Sequence, residues 1–289
     1  MSRKVMKNNL SLLITGASTG IGRACALHFD KQGLKIFAGV RNQDDYENLQ
    51  QVGSENLQPV ILDVCKDSDV EETLKIISQD SNNSLYGLIN NAGIGISGLI
   101  EAIPVAELKR IFEVNLIGLH RVTQAFLPMI RKNKGRIVNI GSSSSFMSGP
   151  ALGPYSASKF ALRSYNDALR IEMKTFGVEV SLVAPGPIES AIWEKAIKYK
   201  EEIRKKTSPE LLKDYDLFVK AGDNLFNQIK PISAIHVVKA VEHALTAKKP
   251  KYVYLVGKNA KMARIFASLP KKWSDSLFLD KIKKAAGES

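Results

Sequence analysis

Cysteine, histidine and tryptophan are scarce in this chain of 289 residues, which has two cysteines, four histidines and two tryptophans. Cys25 and Cys65 have no metal-ligand spacing, and the same is true of the histidines, which are His28, His120, His236 and His243. The sequence therefore excludes a disulfide framework and predicts no metal site. We interpret all six of these side chains as structural.

Long hydrophobic runs are also missing. No stretch approaches the roughly eighteen uninterrupted apolar residues that a membrane-spanning helix needs. The opening MSRKVMKNNL leads directly into a predicted strand and lacks the apolar region of a signal peptide. We therefore expect a soluble, cytoplasmic protein.

Acidic residues are outnumbered, with 29 Asp and Glu against 41 Lys and Arg, which gives a formal net charge of +12. The excess is concentrated in residues 248–289, where eleven basic residues stand against three acidic ones. No zinc-finger spacing, RNA-binding signature or interleaved aromatic pattern accompanies these charges. We therefore expect no nucleic-acid partner.

The basic C-terminal extension, residues 258–289, also contains a helical apolar pattern, formed by Met262, Ile265, Phe266, Leu269 and Trp273. Two interpretations remain open. A basic amphipathic helix can lie on an anionic membrane as a peripheral contact. Such a stripe more often packs on its own domain or on a partner subunit.

Short aliphatic runs alternate with longer helical patterns, which is typical of a parallel sheet covered by helices on both faces. The predicted strands are residues 11–15, 35–40, 59–63, 85–90, 135–141, 178–184 and 252–256. Helical patterns include residues 21–32, which Gly33 closes, and residues 105–130. Without an internal repeat or linker, residues 1–289 are predicted to form one α/β domain of the doubly wound Rossmann type, with a seven-stranded parallel sheet.

Residues 188–230 interrupt this alternation with a long, mostly helical insertion, in which Ser208-Pro209 form a predicted N-cap and first-turn pair. Insertions at the carboxyl ends of strands lie over the ligand crevice of such sheets. We therefore predict a substrate lid, with a pair of packed surface helices as the alternative.

A glycine-rich turn connects the first strand to the first helix, with the sequence Thr15-Gly16-Ala17-Ser18-Thr19-Gly20-Ile21-Gly22. Gly16 suits a tight turn, Gly20 allows the backbone to approach a pyrophosphate, and Gly22 permits close helix packing. The N-terminus of the helix adds N–H donors and a positive dipole. The turn therefore predicts a dinucleotide site.

The second strand ends in Gly39-Val40-Arg41, where a dinucleotide fold places the residue that contacts the adenosine ribose. A carboxylate there favours the 2′-hydroxyl of NAD, whereas the guanidinium of Arg41 suits the 2′-phosphate of NADP. We therefore predict NADP(H) as cofactor. Asp44 and Asp45 lie close enough in the sequence to keep NAD as the alternative.

Tyr155 and Lys159 lie one turn apart on one face of a predicted helix. A phenol titrates at about pH 10, and a neighbouring ammonium that stabilises the phenolate would bring it closer to neutral pH. Ser142 lies at the end of the fifth strand. Its hydroxyl is placed to bind the carbonyl oxygen of a substrate that lies against Tyr155. Because three further serines follow Ser142, geometry has to decide which hydroxyl converges on the site, and the other candidates are Ser143, Ser144 and Ser145.

At these residues the sequence resembles the short-chain dehydrogenase/reductases, from about residue 10 to residue 261. TGASTGIG resembles the family's cofactor turn, Asp63-Val64 its adenine-contacting pair, and Asn90-Asn91-Ala92-Gly93 the end of its fourth strand. Asn115 lies in the helix that carries the family's catalytic Asn. Residues 185–190 resemble its PGxxxT turn, with Ser190 in place of the usual Thr.

The resemblance implies a role for each catalytic residue. Tyr155 would exchange a proton with the substrate oxygen, and Ser142 would orient that oxygen. Lys159 would hold the nicotinamide ribose and lower the pKa of the tyrosine, while Asn115 would hold a water linking Lys159 to solvent. The implied cofactor-binding set is Gly16, Ser18, Thr19, Gly20, Ile21, Arg41, Asp63, Val64, Asn91, Ala92, Gly93, Tyr155, Lys159, Pro185, Gly186, Ile188 and Ser190.

Two positions depart from the family's pattern. Gly141 stands where many relatives have another Ser. Thr19 is uncharged where many NADP-preferring relatives have Lys or Arg, which leaves Arg41 as the main residue for the phosphate.

Residues 126–128, 155–162 and 185–195 resemble the branch of 17β-hydroxysteroid and retinol dehydrogenases. This implies an apolar ketone, aldehyde or alcohol as substrate, such as a steroid, retinoid or lipid, and a homodimer or homotetramer. The residues placed to line an apolar cleft, or else to fill the core, are Gly149, Leu152, Ile192, Trp193 and Ile197.

Two other functions compete with a working reductase. A catalytically idle NADP-sensing protein is the main alternative, although such relatives commonly lose a catalytic residue. Dehydration or epimerisation of nucleotide sugars is disfavoured by the short C-terminal region and the lipophilic lid.

Overall fold

The computed structural model describes residues 10–80, 85–189 and 191–288, with side chains described throughout this part except at residues 191–197 and 226–227. Seven strands form one parallel sheet in the order β3-β2-β1-β4-β5-β6-β7. Their bounds are β1 Ser11–Ile14, β2 Lys35–Val40, β3 Leu57–Ile61, β4 Leu85–Asn90, β5 Arg136–Ile140, β6 Glu179–Pro185 and β7 Val253–Val256. The predicted seven-stranded, doubly wound sheet is confirmed.

Helices cover both faces of the sheet. Their bounds are α1 Gly20–Asp30, α2 Gln43–Val52, α3 Asp67–Gln79, α4 Val105–Phe112, α5 Gly118–Lys132, α6 Gly153–Lys174, α7 Ala191–Lys206, α8 Pro209–Asp214, α9 Asp216–Asn227, α10 Ile235–Thr246, α11 Lys258–Phe266 and α12 Lys271–Ala286. On one face, α1 and α10 bury Phe29 and Val237 in a common core. On the other, α3, α5 and α6 bury Val70, Phe126 and Leu169.

The strand order reverses between β1 and β4, because β1 pairs with β2 on one side and with β4 on the other. The carboxyl ends of these strands therefore diverge into a crevice, which is where ligands bind in doubly wound sheets. The glycine turn after β1 and the loop after β4 both lie at this edge.

The helix predicted over residues 105–130 is interrupted. A π-helical turn at Glu113–Ile117 separates α4 from α5. Asn115, in the middle of this turn, is fully buried and hydrogen-bonds the backbone of Ile94. Close packing also constrains the next residue, since a Cβ on Gly118 would lie 2.6 Å from Cγ2 of Val64. These contacts override the regular helical pattern that the sequence suggests.

Three helices, α7, α8 and α9, occupy most of the region after β6. Ser208 caps α8 by accepting a 3.2 Å hydrogen bond from the Leu211 N–H, and Pro209 follows it, as predicted. Lys200 and Arg204 of α7 both pair with Asp223 of α9. These ion pairs connect α7 to α9 within the insertion.

The prediction of a single amphipathic helix in the basic C-terminal extension is wrong. The segment forms two helices, α11 and α12, and Pro270 is the N-cap of α12. Proline has no N–H to donate and restricts the residue before it, so a continuous helix cannot pass this position without a kink. α12 packs on α9, where the Asn224 side chain donates a 2.8 Å hydrogen bond to the Ala285 carbonyl.

Candidate active site

The glycine turn has the geometry that its sequence predicts. Gly16 and Gly20 both have positive φ angles, of 63° and 56°, which favour glycine. At Gly22 space is the constraint, since an added Cβ would lie 2.2 Å from the Gly16 carbonyl oxygen. The turn therefore closes tightly onto the first helix.

The N-terminus of α1 offers open hydrogen-bond donors. Its N-cap is Thr19, whose side chain caps no N–H, and the described first turn contains no acidic residue. Ser18 and Ile21, on either side of this position, are half-buried. Uncapped N–H groups and the helix dipole together suit an anionic group such as a pyrophosphate.

The loop after β4 joins the glycine turn to the catalytic residues. The Asn91 side chain donates to the carbonyls of Thr15 and Gly16, at 3.0 and 2.9 Å, and Ala92 donates its N–H to the Thr15 hydroxyl. At Gly93 an added Cβ would lie 3.2 Å from Oδ1 of Asn115 and 3.7 Å from Nζ of Lys159. Residues 91–93 therefore lie between the two predicted parts of the site.

Arg41 lies exposed at the end of β2, and its guanidinium has no ion pair or hydrogen bond within the described part of the chain. Asp45 is half-buried and accepts a hydrogen bond from the Asn42 side chain, while Asp44 is exposed in the first turn of α2. Among the described residues, the guanidinium of Arg41 therefore has no partner, whereas the carboxylate of Asp45 already accepts a hydrogen bond.

Asp63 and Val64 lie just after β3. The Asp63 carboxylate accepts a 3.0 Å hydrogen bond from the Cys65 N–H, and its own N–H donates to Asp69. Val64 is buried, and its carbonyl accepts from Arg121. These bonds fix the backbone at the edge where an adenine would lie.

Tyr155 and Lys159 lie in the first turns of α6, which begins with Gly153 and Pro154. Lys159 is only 5% exposed, and its Nζ donates a 3.0 Å hydrogen bond to the Ile140 carbonyl at the end of β5. Burial lowers the pKa of Lys159 to about 8. Burial also raises the pKa of the half-buried Tyr155, and a hydrogen bond with the Ser142 side chain partly offsets this increase. The predicted lowering of this pKa by Lys159 is therefore wrong, because burial of the phenol outweighs the interactions that favour the phenolate.

Among the four consecutive serines, Ser142 faces the phenol of Tyr155. Ser145 is fully buried, and its hydroxyl accepts a hydrogen bond from the Ser142 N–H. Ser143 and Ser144 are half-buried in the short turn that follows, where the Ser144 N–H donates to the Ser142 hydroxyl. Gly141 is closely packed, since an added Cβ would lie 2.9 Å from a terminal methyl group of Leu182 and 3.0 Å from the Ser145 hydroxyl.

Both N–H donors of the Asn115 side chain are used by the protein, and the water that it would hold beside Lys159 stays a prediction. The Asn115 amide accepts from the Ile94 N–H at 2.8 Å and donates to the Ile94 carbonyl and to the Ser158 hydroxyl, each at 3.0 Å. Ser158 in turn donates to the Tyr155 carbonyl at 2.7 Å. Ser158, which lies between Tyr155 and Lys159 in the sequence, therefore connects Asn115 to the first turn of α6, a role that the sequence does not predict.

The turn after β6 lies at the opposite end of the crevice. Pro185 ends the strand, and the Gly186 N–H donates to the Val256 carbonyl at 2.9 Å. Ile188 is buried and forms a parallel bridge with Ile232 through the Pro187 carbonyl and the Glu189 N–H. This bridge uses neither the N–H nor the carbonyl of Ile188. The predicted contact at Ser190 lies outside the described residues.

The predicted apolar cleft is only partly described, because the side chains of Ile192, Trp193 and Ile197 fall outside the described part. Leu152 is exposed and Gly149 is half-buried, both in the loop before α6. A Cβ on Gly149 would lie 3.1 Å from the ring of Phe278, so α12 reaches this loop. The sequence does not predict this contact between the C-terminal extension and the loop before α6.

Within the described residues, no cluster of His, Cys, Asp or Glu could hold a metal ion. In the same part of the chain, no helix is long and apolar enough to cross a membrane. The parallel sheet, the glycine turn and the group formed by Ser142, Tyr155 and Lys159 define a Rossmann-type oxidoreductase.

Comparison with known proteins identifies the family. The family model for short chain dehydrogenases matches residues 11–201. The chain is 34% identical over 264 residues to mitochondrial D-beta-hydroxybutyrate dehydrogenase from Bos taurus, covering 83% of this chain and 74% of that protein. This chain belongs to the short-chain dehydrogenase family.

Two other relatives refine this relationship. NADPH-dependent 3-dehydrocapnine reductase from Ornithobacterium rhinotracheale is 33% identical, covering 96% of this chain and 99% of its own. Retinol dehydrogenase 7 from Mus musculus is 34% identical, with coverage of 87% and 81%. The predicted resemblance to the retinol and hydroxysteroid dehydrogenase branch is confirmed.

A solved structure supports the fold. The short chain dehydrogenase from Burkholderia cenocepacia J2315, crystallised in complex with NADP, superimposes with a TM-score of 0.72 at 21% identity. The match covers 93% of this chain and 97% of that one.

Proposed function

We propose that this protein is an NADPH-dependent oxidoreductase that interconverts an apolar ketone or aldehyde and the corresponding alcohol. The observation that carries the proposal is the meeting of Ser142, Tyr155 and Lys159 at the crevice edge, joined to the glycine turn through residues 91–93. A complete proton-transfer group beside a dinucleotide cradle favours an enzyme over a protein that only senses the cofactor.

The described residues fit NADP(H). The uncapped N-terminus of α1 suits the pyrophosphate, and the unpaired guanidinium of Arg41 suits a 2′-phosphate. Lys159 is a buried ammonium with one protein acceptor, so it retains donors for the hydroxyls of a ribose. The remaining residues that would hold the cofactor are Gly16, Ser18, Gly20, Ile21, Asp63, Val64, Asn91, Ala92, Gly93, Pro185, Gly186 and Ile188.

When bound, the nicotinamide supplies or accepts the hydride. Tyr155 donates a proton to the oxygen of a carbonyl substrate during reduction, and its raised pKa keeps the phenol protonated at neutral pH. Ser142 donates a hydrogen bond to the same oxygen, where negative charge develops. Ser158 and Asn115 act as positioning residues, because their hydrogen bonds hold the first turn of α6 against the Ile94 loop.

The substrate side is formed by the insertion at residues 188–230, acting as a lid, together with α12. α12 packs on α9 and places Phe278 against Gly149, six residues before Tyr155. An aromatic side chain against the loop that leads into α6 favours an apolar substrate. The name of retinol dehydrogenase 7 agrees with such a substrate, whereas D-beta-hydroxybutyrate is small and polar, so both classes belong in the test.

The test follows oxidation of NADPH and of NADH with a panel of retinoids, steroids, aliphatic aldehydes and short keto acids. We expect turnover of an apolar carbonyl with NADPH, and a loss of about 10²–10⁴-fold in kcat for Tyr155→Phe. Tyr252→Phe is the matched control, since Tyr252 is an exposed tyrosine whose hydroxyl bonds Lys174. NADPH binding without turnover of any substrate would favour the sensing protein instead, and undiminished Tyr155→Phe activity would reject the proton donor.

A further inference from the structure

The exposed side of α11 combines apolar and basic residues in one stripe. Lys258, Lys261, Met262 and Ile265 follow the i, i+3, i+4, i+7 spacing of a single helical face. Met262 is 45% exposed and Ile265 is 64% exposed, while Ala260 and Ala263 are buried. The apolar side chains on this stripe therefore point away from the protein core.

The second helix, α12, also has an exposed side that combines apolar and basic residues. Its inner face contains Phe278, which contacts Gly149, and the buried Ile282, and the helix packs on α9. Its outer flank carries Trp273 and Leu277, one turn apart, which are 67% and 50% exposed. Continuing along this flank, the helical spacing brings Asp280, Lys281 and Lys284.

The positive charge around these stripes indicates which kind of surface covers them. Residues 248–289 contain most of the net positive charge of the chain. A second copy docking through the same stripes would bring lysines against lysines, and like charges in contact oppose association. An anionic bilayer accepts both parts, because apolar side chains enter the boundary of the acyl chains while lysines reach the phosphate groups.

We propose that the outer stripes of α11 and α12 dock this protein on the surface of an anionic phospholipid bilayer. The stripes are defined by Lys258, Lys261, Met262, Ile265, Trp273, Leu277, Asp280, Lys281 and Lys284, so four lysines outnumber one carboxylate. The inner face of α12 contacts α9 and the loop before Tyr155. A helix with lipid on one side and the proposed lid on the other brings the crevice close to the bilayer. The docking itself does not depend on the reaction.

Vesicle flotation tests the docking, using phosphatidylcholine vesicles with and without phosphatidylserine. We expect the full chain to float only with the anionic vesicles and to be released as salt increases. Trp273→Ser combined with Leu277→Ser should weaken binding by roughly tenfold or more. Point substitutions are used because removing α12 would also expose the face that packs on α9.

The matched control replaces two exposed isoleucines elsewhere, Ile171→Ser and Ile235→Ser, and should float like the unmodified chain. Equal flotation of all three proteins, or no flotation with anionic vesicles, would overturn the proposal. Sedimentation analysis covers the remaining case. A dimer that only the Trp273 and Leu277 substitutions dissociate would assign the surface to a second copy of the chain and reject the lipid.

Discussion

The cofactor side and the substrate side of the crevice are built in different ways. On the cofactor side, Thr15, Asn91 and Asn115 hold backbone segments together through buried or half-buried hydrogen bonds, and glycines allow contacts that no side chain could enter. On the substrate side, helices lie against one another through partly exposed ion pairs at Asp223 and through single aromatic contacts. The first construction fixes geometry, whereas the second leaves room for different ligands.

Substitution of Lys159, on the cofactor side, should give the largest effect on activity. It also shows how much this buried ammonium lowers the stability of the fold. Lys159→Met should lose about 10²–10⁴-fold in kcat. Because burial lowers the pKa of Lys159 to about 8, the same change should raise the free energy of unfolding at pH 7 by about 3 kcal/mol.

The sign of this stability difference is set by the two pKa values. The unfolded chain binds the proton more tightly than the folded chain, so the unmodified protein gains stability as pH rises from about 8 to about 10.5. The advantage of Lys159→Met should therefore be complete below this window and disappear above it. Denaturant unfolding of both proteins across this range measures the difference, and a constant gap would contradict the assignment.

A methyl group at Gly22 should give the next largest effect. In Gly22→Ala the Cβ would meet the Gly16 carbonyl at 2.2 Å and Nδ2 of Asn91 at 2.5 Å. We expect NADPH affinity to fall by about 100-fold and the free energy of unfolding by about 1–3 kcal/mol, measured by calorimetric titration and denaturant unfolding. Gly222→Ala, on α9 with no atom within 4 Å of the new Cβ, is the control and should retain NADPH binding.

Arg41→Gln should have a smaller and more selective effect. Loss of one charge-assisted pair with the 2′-phosphate should weaken NADPH binding by roughly 10- to 100-fold and leave NADH binding unchanged. Fluorescence titration with each nucleotide measures both affinities, and Lys31→Gln supplies an exposed cation as control. An equal loss for both nucleotides would remove Arg41 from cofactor selection.

Phe278→Ala should give the smallest effect and tests the substrate side of the crevice directly. We expect KM to rise by about tenfold for a bulky apolar substrate, with little change for a short one and none in NADPH affinity. Trp273→Ala on the outer flank of the same helix should leave all three values unchanged in the absence of lipid. A uniform loss of activity with Phe278→Ala would point to misfolding of α12 and not to a wall of the cleft.

The sequence predicted the cofactor side of the crevice better than the substrate side. Glycine spacing, strand ends and the Tyr155–Lys159 pair are local signals, and the sheet brings them together as expected. The π-helical turn at Asn115 depends on a long-range bond to Ile94, which the helical periodicity of residues 105–130 does not reveal. The buried role of Ser158 and the constraint at Gly141 are likewise set by contacts between distant segments.

The C-terminal extension was least predictable for a related reason. Its apolar residues fit one helical stripe in sequence, but Pro270 divides them between two helices that face different neighbours. The packing of α11 on β7 and on the turn at residues 143–145, and of α12 on α9, determines which of these side chains are covered and which are exposed.

The hydrogen bond from Lys159 to the Ile140 carbonyl has a consequence for ligand recognition. That bond directs one of the three ammonium donors at an oxygen that ends a central strand, which orients the other two. Those two donors are the ones left for the hydroxyls of a ribose. A dinucleotide lacking these hydroxyls should therefore bind more weakly than its parent.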